Sequence, residues 1–60
     1  MKLPRDPHLL YSVINMKLRN DYADLDDLVH SLGVEREGLE QRLSRAGYRY
    51  DTGLNQFRLK

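Results

Sequence analysis

Between Leu9 and Leu18 the apolar residues Leu9, Leu10, Tyr11, Val13, Ile14, Met16 and Leu18 recur with a helical period. At about 100° per residue they sweep roughly 220° of the helix circumference. His8, Ser12, Asn15 and Arg19 are confined to a narrow polar strip. A helix lying on a domain surface shows a narrower stripe, so this one is either the centre of the fold or half core and half interface. Asp6-Pro7 marks its start: the carboxylate accepts from orphan amides, and proline at the first helical position loses no hydrogen bond. Pro4 keeps Leu3 extended before it.

The pattern then shortens. Asp24 caps a second helix, Asp26 and Asp27 sit in its first turn where the helix dipole favours negative charge, and Leu25, Leu28, Val29 and Leu32 form its inner face. Gly33 supplies the left-handed residue that ends it, and Val34 packs across the turn. A third helix places Leu39, Leu43 and Ala46 inward and ends at Gly47; Gly38 within it costs about 1 kcal/mol relative to alanine. After Gly47 the period changes to two. Tyr48 and Tyr50 alternate with Arg49, Asp51-Thr52-Gly53 supplies turn chemistry, and Phe57 and Leu59 alternate with Gln56 and Arg58. The expectation is an α+β domain: helices over about 7–20, 25–32 and 35–46, and a hairpin over about 48–59. The hairpin should bury Tyr48, Tyr50, Phe57 and Leu59 against the helices, because an isolated hairpin is marginal.

Composition narrows the function classes. Sixty residues with 40% hydrophobic content, 32% charge and a formal net charge of +1 fit one small folded domain. A chain of this size leaves little room for a deep pocket, so an enzyme is not expected. The absence of cysteine excludes disulfides and thiolate metal sites. Leu9 to Leu18 is interrupted by Ser12, Asn15 and Lys17, well short of the ~20 apolar residues a membrane span needs. With no signal-peptide pattern either, the expected location is cytoplasmic.

The run Leu28, Val29, Leu32-Gly33-Val34, Leu39 and Leu43 resembles a helix-turn-helix, and a hairpin after it makes the arrangement similar to a reduced winged helix. Charge argues against a duplex on the third helix. Asp21, Asp24, Asp26, Asp27, Glu35, Glu37 and Glu40 stand against Arg36 alone, whereas Arg45, Arg49, Arg58 and Lys60 stand against Asp51. A reader helix needs cations facing phosphate. The bland explanation of this polarity is a pair of solvated faces that keep the domain soluble.

Other chemistry is thin. His8 and His30 lie on different helices without the four-ligand spacing of a structural metal site, and no serine sits on a nucleophile turn. No cofactor is expected. Lys17 projects inside the apolar arc, as a snorkelling stem that reaches water or Asp21, or as a hydrogen bond to a partner. Tyrosine rings and arginines alternate in the hairpin, so core packing explains the rings better than base stacking.

Leu3-Pro4-Arg5-Asp6-Pro7, Asn15-Met16-Lys17-Leu18-Arg19, Leu25-Asp26-Asp27-Leu28 and Gly47-Tyr48-Arg49-Tyr50 with Asn55-Gln56-Phe57 resemble a family of small uncharacterised bacterial proteins. The most specific part is the Asn-x-Lys-Leu-Arg segment, which falls on Asn15, Lys17, Leu18 and Arg19. This chain departs from the family pattern in carrying Asn20 where an aspartate follows that arginine, and Asp24 where a hydroxyl residue precedes the second helix. The resemblance implies a domain of unknown function and adds weight to Asn15 and Lys17. The resulting expectation is a non-enzymatic interaction module that meets a protein partner, or a second copy, through Tyr11, Asn15, Met16, Lys17 and Arg19. The alternative is a winged-helix-like nucleic-acid binder using Arg45, Arg49, Arg58 and Lys60.

Overall fold

The structure, a computed structural model, describes residues 3–60. Three helices precede a two-stranded antiparallel hairpin: α1 (Pro7–Asn20), α2 (Leu25–Leu32), α3 (Arg36–Arg45), β1 (Tyr48–Asp51) and β2 (Gln56–Leu59). The fold is α+β. Asp6 accepts from the amides of His8 and Leu9 at the start of α1, and Asp24 accepts from Asp27 at the start of α2. Asp27 replies by accepting from Ala23 at 3.0 Å. Gly33 ends α2 at φ 70°, with Val34 N–H donating to the Val29 carbonyl in the six-to-one bond of a Schellman turn. Helix α3 is one residue shorter at each end than its pattern predicts; Glu35 gives no side-chain cap and Ala46 precedes Gly47, whose φ is 94°.

The core joins all five elements. Leu10, Ile14 and Leu18 of α1 meet Leu25, Leu28 and Val29 of α2, Leu39 and Leu43 of α3, and Tyr48 and Phe57 of the hairpin. One row of α1's broad apolar arc is therefore sealed, with Tyr11 and Val13 half-buried beside it. The edge of the arc is not: Leu9 is 59% exposed and Met16 64%.

Strand register pairs Tyr48 with Leu59, Arg49 with Arg58, Tyr50 with Phe57 and Asp51 with Gln56. Phe57 and Tyr48 are buried and Tyr50 half-buried, but Leu59 is 66% exposed, contrary to its expected place in the core. Opposite it, Tyr48 takes the side facing α1, its ring stacked on Tyr11 at 4.0 Å and 13°. Leu59, at the open end of the ladder, gets no such cover. Within the turn, the left-handed residue is Asn55, at φ 53°.

Candidate functional site

The seam between α1 and β2 is closed by side chains acting as backbone. Asn15 Nδ2 donates to the Phe57 carbonyl at 2.9 Å, and the Phe57 amide donates to Asn15 Oδ1 at 2.7 Å. An amide side chain carries the same donor and acceptor as a peptide group, so Asn15 stands in for one residue of a third strand. Both polar groups of Phe57 consequently point away from β1, and the outer edge of β2 is occupied at that position. Gln56 Nε2 donates to the Asn15 carbonyl at 3.1 Å and fastens the same seam from the strand side.

A second knot holds the turn. Tyr50 Oη donates to Asn55 Oδ1 at 2.6 Å and accepts from the Leu25 amide at 3.3 Å. Asn55 Nδ2 donates to the carbonyls of Leu18 and Ala23. The left-handed backbone at Asn55, which asparagine tolerates better than most residues, aims that amide at the junction of α1 and α2. On the far side, His8 Nδ1 and Tyr48 Oη are 2.7 Å apart.

These bonds fix the walls of an open groove of about 430 Å³. Tyr11, Ser12, Asn15, Met16, Arg19 and Asn20 line it from α1; Leu54, Gln56, Phe57 and Arg58 line it from the hairpin. Met16 stands 64% exposed on one rim and Leu54 60% on the other. No carboxylate lines the groove, and its two charged residues are both arginines.

The structure thus brings together Tyr11, Asn15, Met16 and Arg19 of the sequence candidates, and adds Arg58 from the nucleic-acid set. Asn15 spends its polar groups inside the chain, so its place in the groove is that of a wall. Lys17 lies outside the groove, half-buried, with no ion pair to Asp21 or to any other described residue. The other basic residues divide. Lys60 Nζ donates to Ser44 Oγ and to its carbonyl, beside Arg45 at the end of α3, while Arg49 faces Arg58 across the ladder. Leu54, Gln56 and Ser12 were not singled out from the sequence. A large apolar residue in a polar turn was the available signal for Leu54.

Outside the groove one guanidinium is paired with carboxylates. Arg36 bonds Asp26 at 2.8 Å and reaches Glu40 at 3.6 Å, with its guanidinium carbon 5.6 Å from the centre of the Tyr50 ring. The Asp26 hydrogen bond, aided by the charge of Glu40, holds the Arg36 pKa above its usual value. Asp51 is held below the usual carboxylate range, first by the Leu54 amide and then by Arg58 at 3.3 Å. A second groove, of about 470 Å³, runs along α3 between Leu3, Val34, Gly38 and Leu39, with Glu35, Arg42 and Arg45 at its margin. Among the described residues no cluster of three or more His, Asp or Glu is placed to hold a metal ion, and no helix is long and apolar enough to cross a membrane.

Searches of the curated proteins and of the solved structures give no significant match to this chain. The sequence pattern of one family does match, over residues 4–57, and so takes in both walls of the α1–β2 groove as far as Phe57. The chain therefore belongs to DUF4250, a domain of unknown function.

Proposed function

We propose that the chain is a non-enzymatic association module whose docking site is the groove between α1 and β2. The observation that carries this reading is the pair of aliphatic rims, Met16 and Leu54, left open on a groove whose walls are held rigid by the Asn15–Phe57 bonds. Exposed apolar groups gathered on a polar-rimmed surface mark association sites. A pre-ordered wall also lowers the entropy lost on binding.

A winged-helix-like nucleic-acid reader is the second reading, favoured by Arg49 directly across from Arg58 on the outer face of the hairpin. Two observations rank it lower. The exposed large apolar residues are Leu9, Met16, Leu54 and Leu59, which give bases no ring to stack on, and Tyr11 already stacks on Tyr48. Glu35 and Glu37 stand exposed at the start of α3, where a reader helix would meet phosphate.

Capture from a cell lysate with the tagged chain, with and without nuclease, tests the ranking. The comparison variant is Met16→Asp with Leu54→Asp, exposed substitutions expected to change stability by no more than about 0.5 kcal/mol each. The expected result is a protein retained through nuclease treatment and lost with the variant. Recovery of nuclease-sensitive material alone, equal retention by the variant, or no retained protein overturns the proposal.

A further inference from the structure

We infer that the occupant of the α1–β2 groove is an acidic segment of a different protein, with apolar anchors for Met16 and Leu54, and not a second copy of this chain. The inference rests on the association reading and names the chemistry of the partner.

The groove lining is positive, with two arginines and no carboxylate. Arg19 on α1 makes no ion pair among the described residues. Arg58 meets Asp51 at 3.3 Å, but its side chain stays 54% exposed and its cross-strand neighbour is Arg49. Like charges directly opposite each other on a ladder repel. Asp51 pairs with Arg58 alone, Arg49 makes no ion pair among the described residues, and Arg19 across the groove makes none either. An incoming carboxylate completes this arrangement in the planar, two-pronged geometry that arginine favours.

The same inventory rejects self-pairing. A two-fold dimer through this groove sets the patch against itself. Arg19 and Arg58 would then meet only arginines or the neutral Ser12, Asn15, Asn20 and Gln56, since the lining holds no Asp or Glu. Arg19 would then leave water with no anion to replace it, a desolvation cost that the apolar contact must offset. The chain's acidic stretch lies on α2 and the start of α3, outside the groove. Bringing it there needs a head-to-tail contact, which closes only as a ring or continues as a filament. Charge complementarity thus points to a foreign acidic segment that presents leucine, isoleucine, methionine or phenylalanine between its carboxylates. About twelve residues in a helix span roughly 18 Å, which suits a molecule of 26 × 23 × 18 Å.

The test selects a phage-displayed library of random peptides of about twelve residues against the full chain at low salt, then measures recovered peptides by fluorescence anisotropy. The expected peptides are rich in Asp and Glu around apolar anchors. Their affinity falls at least about tenfold with Arg19→Glu plus Arg58→Glu, and likewise with Met16→Asp. Arg19→Gln plus Arg58→Gln, which removes charge without setting a new carboxylate beside Asp51, gives a smaller loss. Circular dichroism melting confirms that each variant is folded. Peptides that depend on Met16 but not on the arginines, or that carry no acidic excess, overturn this inference and leave the association reading standing. Failure to recover any Met16-dependent peptide overturns both. A concentration-dependent dimer or larger assembly in sedimentation equilibrium, abolished by Met16→Asp, also overturns the inference, because the occupant is then a second copy.

Discussion

Two grooves of this small domain, one along α3 and one between α1 and β2, are similar in volume and opposite in construction. Along α3, the floor of Leu3, Val34 and Leu39 is already half-covered or buried, and Arg42 donates to the carbonyls of Pro4 and Arg5, tying the lead-in over it. Glu35 shares that margin with Arg42 and Arg45, so the chain supplies both signs of charge itself. Between α1 and β2 the walls are fastened by hydrogen bonds, yet the rims are bare aliphatic groups and the charge is of one sign. Volume alone does not distinguish the two. What does is the surface each leaves open: bare aliphatic rims between α1 and β2, and a lead-in tied down by Arg42 along α3.

Substitutions can break this contrast. The largest effect is expected from Asn15→Leu. Phe57 is 1% exposed, so the substitution strands a buried amide and a buried carbonyl. At about 1–3 kcal/mol for each stranded group, a loss near 3 kcal/mol is expected. That is a large share of the roughly 3–9 kcal/mol available to a chain of this length. Urea denaturation reads the loss, and a change below about 0.5 kcal/mol would show that the seam is not fixed by this side chain.

An opposite sign is expected in the other groove. A Cβ built at Gly38 meets nothing within 4 Å, and the glycine lies within α3 with no positive φ. Gly38→Ala should therefore stabilise the chain by up to about 1 kcal/mol, visible as a raised melting temperature. No packing contact in the structure explains why glycine stands there. A lowered melting temperature would reveal one.

The smallest effect concerns Asp51, which partly neutralises Arg58 at the groove margin. Its pKa is lowered in the folded state by the Leu54 amide and then Arg58. A depressed carboxylate contributes stability above its unfolded value, and that contribution is lost as pH falls through the lower folded value. The stability difference between wild type and Asp51→Asn should accordingly be constant near pH 7 and shrink as pH falls below the usual carboxylate range. Freed from Asp51, Arg58 should also bind the acidic peptides more tightly at neutral pH. A stability difference that grows on acidification would reverse the sign assigned to this contact.

Half of the candidate site was legible in the sequence. Tyr11, Met16, Asn15 and Arg19 were drawn from the helical projection and the Asn-x-Lys-Leu-Arg segment, and all four line the groove. Lys17 came from the same projection but does not. The projection gives a residue's angle, and no projection says which neighbour lies at that angle. The narrow polar strip is in part the side that β2 joins through Asn15.

Features that depend on near neighbours are legible in the chain alone. The Asp6-Pro7 start, the Asp24 cap, the left-handed stops at Gly33 and Gly47 and the two-residue alternation of the hairpin are all decided within a few positions. Long-range packing settles which part of the broad apolar arc is sealed, leaves Leu59 bare and makes Asn15 serve as a strand. The bonds responsible join residues 42 apart in the chain. Caps and periods are set by local geometry, whereas the pairing of such distant groups is chosen by how the whole core closes.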